Sequence, residues 1–307
     1  MKKVYIRSNY SIVKISLVLM ISLIPLIIGG FYKHGLKLYQ ADLVTTYGLF
    51  KPLILTISGL LIGILVNLIY LYIIKRKKAS LIDSIFSSFH PIYGLLVASV
   101  VSININIWLF ITITFVILLL SKFILPGKYN VPALTMVIIV LITQSTGGFS
   151  FLNAYETGKV LHLSLVDYLI GMGSGGVNTT YTICLIIGLI VLANQEYYKR
   201  AIPLFGAITY FSCLIIYAII NNLDSAISIF FTNGVLFSLV YLATDCHTSS
   251  YTREGKIIFG VIIGLITFGF YFIYPPIAVF AAILFASLMH ELIDKLVWMI
   301  KSGKATA

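Results

Sequence analysis

The chain has very little charge. Only 10% of its 307 residues are Asp, Glu, Lys or Arg, 60% are hydrophobic, and the mean hydropathy is +1.04. A soluble domain carries about a quarter charged residues, so this composition excludes one. A membrane β-barrel would show alternating segments of ~10 residues, and the sequence has none. We therefore predict an all-α polytopic membrane protein, because helices satisfy their own backbone hydrogen bonds in lipid.

Residues that carry chemistry are also scarce. The three cysteines, Cys184, Cys213 and Cys246, show no metal or redox spacing. The five histidines lack partners at helical spacing, and we interpret His90 as exposed or interfacial. No phosphate loop, zinc motif or nucleophile elbow is present. We expect no metal site, no catalytic residues and no nucleic-acid partner, since the net charge of +11 follows mostly from membrane topology.

The apolar runs have the ~17–25 residues that a bilayer requires. We place ten spans in one domain, residues 1–307, near 12–31, 52–74, 83–101, 107–125, 132–147, 176–193, 202–220, 226–243, 257–273 and 276–299. If the N-terminus is cytoplasmic, 17 of the 21 Lys and Arg residues fall inside. Positive charge marks the cytoplasmic side, so we predict that both termini are cytoplasmic.

Two stretches depart from regular helical spans. Pro91 disfavours helix at His90, which predicts a broken or half-length third span. Four glycines fall within residues 171–176. Either their backbone lines a cavity or approaches a ligand closely, or they form a flexible lead-in to a helix capped by Asn178 or Thr179. Ten spans also allow two five-helix halves, as in many transport folds.

A polar turn at residues 244–252 separates two apolar runs. Asp245 lies at the edge of the first run, with Thr244 and Thr248 beside it. An acid beside hydrocarbon is a functional candidate, and we predict a polar site here whose partner is a flavin, a cation or a helix end. Alternatively, Asp245 caps the ninth span. For Glu291 and Asp294 we expect only contact with headgroups and water.

The order Ala243-Thr244-Asp245 and then Thr248-Ser249 resembles the Met-Ala-Thr-Asp-Pro-Val-Thr-Ser-Pro loop of the RnfD/NqrB family. This family contains the RnfD membrane subunit of Rnf-type ion-translocating electron transport complexes. Other fragments resemble the family in the same order: Tyr5–Ser11, Ile24–Leu26, Gly94–Ala98, Ser121–Phe123, Lys128–Ala133, Gly173–Gly176, Tyr274–Pro276 and Leu292–Asp294. On these residues the chain is identified as a divergent member of the family.

The resemblance implies a subunit of a bacterial plasma-membrane oxidoreductase rather than a stand-alone enzyme. Its expected role is electron transfer between flavins, coupled to ion translocation, beside other Rnf- or Nqr-like subunits. The family attaches FMN to the Thr of an Asp-x-x-Ser-Gly-Ala-Thr motif, and Thr157 is the only counterpart here. The Ser-Gly-Ala is missing, and Tyr155 and Glu156 add bulk and negative charge. We therefore expect no covalent flavin on most of the protein.

The resemblance also implies a second, non-covalent flavin near the loops of the inner side. Asn130, Thr244, Asp245 and Thr248 are the residues that can hydrogen-bond an isoalloxazine edge, so riboflavin or FMN is the implied cofactor. The family architecture also resembles that of urea transporters, and fold alone does not fix function. A flavin-free solute channel or a structural anchor subunit therefore stays open as the alternative.

Overall fold

The computed structural model of the protein describes residues 11–74, 81–124, 129–145, 164–221 and 226–305. Within these ranges every regular element is a helix, which confirms the all-helical prediction. The first half contains α1 (Ile12–Phe31), a π-helical turn (Tyr32–Leu36), α2 (Lys37–Gln40), α3 (Thr46–Ile73), α4 (Leu81–Ile85), α5 (His90–Val100), α6 (Ile107–Phe123) and α7 (Val131–Ser145).

The second half is helical as well within the described ranges. It contains α8 (Leu165–Leu169), α9 (Thr182–Ala193), α10 (Ala201–Asn221), α11 (Ala226–Phe231), α12 (Val235–Phe237), a second π-helical turn (Ser238–Leu242), α13 (Arg253–Tyr271), a 3₁₀ turn (Pro275–Ile277) and α14 (Ala278–Ala305). Residues 146–163, which include Thr157, lie outside the described residues, as do residues 75–80.

Five helical segments in the described ranges are long and apolar enough to cross a bilayer: Ile12–Gln40, Thr46–Ile73, Ala201–Asn221, Arg253–Tyr271 and Pro275–Ser302. Four shorter apolar helices, α5, α6, α7 and α9, accompany them. The ten spans predicted from the sequence are therefore not confirmed. With 11 residues, α5 covers only about half of a hydrocarbon core that is ~30 Å thick.

The predicted break in the third span is confirmed, although Pro91 acts differently from the prediction. It occupies the first turn of α5, where its missing N–H is not required, so it starts a helix rather than interrupting one. The predicted eighth span is broken as well. Asn233 and Gly234 adopt left-handed φ angles of 56° and 67° between α11 and α12, which ends one helix and begins the next.

Glycines allow close helix packing in both halves. A Cβ atom on Gly94 of α5 would lie 2.1 Å from the carbonyl oxygen of Gly59 in α3, and one on Gly260 of α13 would lie 2.7 Å from the Ile202 carbonyl oxygen in α10. Small residues permit such backbone contacts between helices in membranes. These contacts hold α5 against α3 and α13 against α10.

The glycine-rich segment joins the end of α5 through backbone hydrogen bonds. The Val177 N–H donates to the Val101 carbonyl at 2.9 Å, and the Asn178 N–H donates to the Ser99 carbonyl at 2.8 Å. Residue 181, not Asn178 or Thr179, occupies the N-cap of α9, so the predicted capping role is wrong. The backbone here packs against the chain itself, since a Cβ on Gly176 would lie 2.1 Å from the Val100 carbonyl oxygen. The prediction that this backbone lines a cavity or approaches a ligand stays a prediction.

Candidate functional site

Several helix ends meet around one cavity, which we call the Lys122 cavity. It lies where α1 begins, α3 ends, α5 begins, α6 ends and α7 begins, on the side predicted to be cytoplasmic. Its volume is about 410 Å³, and it is lined by Ile12, Tyr70, Ser87, Ser88, Phe89, His90, Tyr93, Ser121, Lys122, Tyr129, Val131, His247 and Thr248. Ligand pockets commonly measure ~300–1,000 Å³, so the cavity has room for a small organic molecule.

Asp245 lies behind one wall of this cavity. Its Oδ2 accepts hydrogen bonds from the Tyr93 hydroxyl at 3.2 Å and from the Thr248 hydroxyl at 3.0 Å, and its Oδ1 accepts from the His247 N–H at 3.4 Å. The predicted alternative, that Asp245 caps α13, is wrong. Thr252 holds that position, and its hydroxyl accepts from the Gly255 N–H at 3.1 Å.

Asn130 joins the same hydrogen-bonded group from the start of α7. Its side-chain amide donates to the Leu242 carbonyl at 2.7 Å and to the Thr248 hydroxyl at 3.4 Å. Its Oδ1 accepts from the Ala133 N–H at 3.0 Å, which caps α7. The structure therefore brings Asn130, Asp245 and Thr248 together, with Thr248 bridging the other two.

Thr244 does not join this group. Its hydroxyl donates to the Val240 carbonyl at 2.6 Å, so it closes the π-helical turn that precedes it. Thr157, the candidate for covalent attachment, lies outside the described residues. Of the five predicted binding residues, three thus share one cluster and one turns away from it.

Lys199 supports the loop that carries Asp245. Its Nζ donates to the carbonyl and the hydroxyl of Ser249, each at 2.7 Å, and to the Cys246 carbonyl at 3.3 Å. The same ammonium lies 4.1 Å from the centroid of the Tyr251 ring. Burial lowers the pKa of the Lys199 ammonium to about 8 and raises the pKa of the Cys246 thiol to about 11, because the charged form of each is disfavoured away from water.

Asp294 of α14 fixes the far end of the loop. Its carboxylate accepts from the hydroxyls of Ser250 at 2.5 Å and Thr252 at 2.6 Å, and from the backbone N–H groups of Tyr251 at 2.9 Å and Thr252 at 3.0 Å. The prediction that Asp294 meets only headgroups and water is therefore wrong. Nothing in the sequence spacing links it to a loop more than forty residues earlier.

A second polar group, missed by the sequence analysis, lies across the Lys122 cavity. His90, predicted to be exposed or interfacial, is buried with 9% of its surface accessible. Lys122 Nζ lies 3.2 Å from Asn67 Oδ1, 3.5 Å from His90 Nδ1 and 4.7 Å from the centroid of the Tyr70 ring. The available signal was a lysine inside an apolar run, which is itself a mark of a functional position.

The cavity combines aromatic walls with polar groups, an arrangement suited to a polar aromatic ligand. Phe89 stacks near Tyr93, with ring centroids 6.3 Å apart, and meets His247 edge-on at 5.3 Å. Among the described residues, no three His, Cys, Asp or Glu side chains come together to hold a metal ion. The aromatic rings and polar groups of the lining together suit a planar organic molecule.

The fold and the buried polar groups define a polytopic membrane protein built from full-length and broken helices. Residues 1–302 match the NQR2, RnfD, RnfE family, and the chain belongs to this family. The chain is also similar to a Mannheimia succiniciproducens protein that is named as a subunit of an ion-translocating oxidoreductase complex, with 39% identity over 77 residues. That match spans 24% of this chain and 22% of the relative. The family resemblance inferred from the sequence is thereby confirmed.

Proposed function

We propose that this protein is a membrane subunit of an ion-translocating electron transport complex of the Rnf or Nqr type. The family match over residues 1–302 is the main support. The proposal includes ten membrane crossings, with the broken segments completing two of them, cytoplasmic termini and location in a bacterial plasma membrane. It also includes partner subunits of the same kind, since the similar protein from Mannheimia succiniciproducens is named as one subunit of a complex.

The Lys122 cavity is the proposed site of a non-covalent flavin. The flavin supplies the redox chemistry when bound, and the protein supplies binding and orientation. A carboxylate has about four acceptor positions, of which Asp245 uses three. Asp245 is partly exposed and lines an adjoining crevice that shares Phe89 and Tyr93 with the Lys122 cavity, so its free acceptor position serves a ligand N–H that reaches past this wall. Tyr93 and Thr248 line the cavity and hold that carboxylate in place.

Asp245→Asn tests this proposal. The change keeps the size of the side chain but removes its charge and one acceptor oxygen. We expect purified wild-type protein to release flavin on denaturation, and Asp245→Asn to lose that flavin and its electron transfer while its thermal stability stays near wild type. Glu291→Gln is the matched control, because Glu291 is exposed on α14 and should leave both unchanged.

Two results would count against the flavin site. Wild-type protein that releases no flavin, and conducts a small solute in proteoliposomes, would favour the channel alternative. Retained flavin and activity in Asp245→Asn would show that Asp245 is not part of the site.

We also propose that most of the protein lacks covalent flavin at Thr157. In-gel fluorescence of denatured protein checks this, and a bright band that disappears in Thr157→Ala would contradict it.

A further inference from the structure

A second cavity lies at the other end of α3 and α6, and we call it the Lys51 cavity. Its volume is about 580 Å³, and it is lined by Tyr47, Lys51 and Ile54 of α3 and by residues 104–108, where α6 begins. From Trp108 to Lys122, helix α6 rises ~21 Å at ~1.5 Å per residue. Because the hydrocarbon core is ~30 Å thick, the Lys51 and Lys122 cavities lie near opposite surfaces of the membrane.

The Lys51 cavity carries one charge. Lys51 is the charged residue among its described lining residues, and no carboxylate lies beside it there. The side chain is half-buried, and its ammonium has no hydrogen-bond or ion-pair partner among the described residues. A charge withdrawn from water is costly without a partner, so an anion in the cavity would supply what the surrounding helices do not.

The polar groups around Lys51 can also donate hydrogen bonds. Asn106 Oδ1 accepts from the Trp108 N–H at 3.0 Å and so caps α6. This contact uses the acceptor of the Asn106 amide, and its NH₂ group is left to donate. The Tyr47 hydroxyl is a further donor in the lining. Hydrogen bonds from such donors to an ionised oxygen are stronger than those between neutral groups, which favours a phosphate.

Two aromatic side chains place this cavity at the boundary between lipid and water. Trp108 is 77% exposed and Tyr47 is 59% exposed, although both line the cavity. Trp and Tyr concentrate at membrane interfaces, at the level of the lipid headgroups. The anion that reaches Lys51 at this depth is therefore expected to belong to a lipid.

An apolar track continues from the cavity toward the middle of the membrane. Exposed side chains on α3 recur every three or four residues, which places them along one helix face, and they are Ile54, Ile57, Leu61 and Leu65. Ile54 belongs both to this stripe and to the cavity lining. A molecule with its anionic end at Lys51 can thus lay hydrocarbon chains along α3.

We propose that the Lys51 cavity binds the headgroup of an anionic phospholipid, with the phosphate at Lys51 and the acyl chains along the exposed stripe of α3. With the proposed cytoplasmic termini, this lipid belongs to the outer leaflet. A zwitterionic lipid is a poorer ligand, because its own cation would lie near the Lys51 ammonium. The chemistry of the site therefore selects phosphatidylglycerol over phosphatidylcholine.

The two tryptophans of the chain, Trp108 and Trp298, allow a local measurement. In a Trp298→Phe background, Trp108 is the single tryptophan and lies in the cavity wall. The full-length protein is placed in phosphatidylcholine vesicles that contain a small fraction of phosphatidylglycerol or phosphatidylcholine with brominated acyl chains, which quench nearby tryptophan fluorescence. We expect brominated phosphatidylglycerol to bind beside Trp108 about fivefold more tightly, the preference that one lysine near an anionic headgroup supplies.

Variants of Lys51 test the origin of this preference. Lys51→Gln should bring the two brominated lipids to about equal affinity, and Lys51→Arg, which keeps the charge, should retain the preference. Lys295→Gln is the control for charge removal, because Lys295 is exposed on α14 and does not line the cavity. In a Trp108→Phe background, quenching of Trp298 on α14 should be the same with and without Lys51→Gln.

Several outcomes would overturn the proposal. Equal quenching of Trp108 by both brominated lipids in the Trp298→Phe protein would do so, as would a preference that survives in Lys51→Gln. Size-exclusion profiles show whether each variant is folded, and loss of the preference in folded Lys51→Arg would also contradict a site that depends on positive charge.

Free phosphate is the other source of the same chemistry, and one further arm separates it from a lipid. Inorganic phosphate is added to the vesicles with brominated phosphatidylglycerol, and sodium chloride of equal ionic strength is the reference. Quenching of Trp108 that phosphate relieves more than chloride does would assign the cavity to a small anion and overturn the lipid. Equal quenching in the two salts supports the lipid headgroup.

Discussion

Two buried polar regions of this molecule are held together in opposite ways. The loop at residues 243–252, the Asp245 loop, is fixed by side chains: Lys199 and Asp294 bind its carbonyls, hydroxyls and N–H groups. The segment at residues 171–178, the glycine junction, is fixed by backbone hydrogen bonds to residues 99–101 and by the absence of a side chain at Gly176.

The two regions also differ in how fully their polar atoms are paired. In the Asp245 loop, the carboxylates of Asp245 and Asp294 each accept several hydrogen bonds. At and beside the glycine junction, Asn178 Oδ1 and Thr180 Oγ1 are buried without a hydrogen-bond partner among the described residues, and the buried His34 ring has at most a weak contact with the Gly176 backbone. A buried group left unpaired costs ~1–3 kcal/mol. Charged side chains therefore hold the Asp245 loop in place, whereas the lack of a side chain on glycine allows the close backbone packing of the glycine junction.

Adding a methyl group at the glycine junction should have the largest effect. In Gly176→Ala the new Cβ would lie 2.1 Å from the Val100 carbonyl oxygen, so the backbone must move and the two hydrogen bonds from Val177 and Asn178 weaken. We expect a loss of about 3 kcal/mol or more, at the upper end for overpacking. Thermal unfolding in detergent measures this loss.

Gly269→Ala provides the control, because its Cβ would meet nothing within 4 Å among the described residues. Within helix α13 that change should stabilise by about 0.5–1 kcal/mol. Similar unfolding temperatures for Gly176→Ala and Gly269→Ala would show that the two segments of the glycine junction can move apart without loss of stability. Their close backbone contact would then not be what stabilises the junction.

Removing a side chain from the support of the Asp245 loop should have the next largest effect. Asp294→Ala deletes the acceptor of four hydrogen bonds, and we expect a loss of about 2–3 kcal/mol, since hydrogen bonds to charged groups contribute ~1.5–3 kcal/mol each and do not add fully. Faster cleavage at Tyr251 by chymotrypsin is the local readout. Glu291→Ala, one turn earlier on the same helix and exposed, should change neither stability nor cleavage.

Removing a side chain from beside the glycine junction should have the smallest effect. His34 is 1% exposed, and the Gly176 backbone is the nearest partner its ring has among the described residues. His34→Leu therefore removes two buried ring nitrogens at the cost of at most one weak hydrogen bond. We expect stability within about 1 kcal/mol of wild type, or a small gain. A loss comparable to that of Asp294→Ala would mean that His34 binds a water or an ion in the membrane, and the comparison between the two regions would fail.

The sequence by itself determined the class of structure and several of its irregularities. Low charge and long apolar runs require helical spans, because lipid offers no partners for backbone groups. Pro91 marked the break before α5, and the polar turn around Asp245 marked the loop that contacts the cavity. These features can be predicted from the sequence because each depends on neighbouring residues or on the lipid that surrounds the whole chain.

Only the tertiary structure decided which polar groups meet. Lys122, Asn67 and His90 come from three helices, and Asp294 reaches its loop from α14. In a soluble helix, the apolar face would have predicted which side packs inward. In a membrane helix the lipid-facing and protein-facing sides are both apolar, so periodicity does not show where a polar residue points, and packing between distant helices makes that choice.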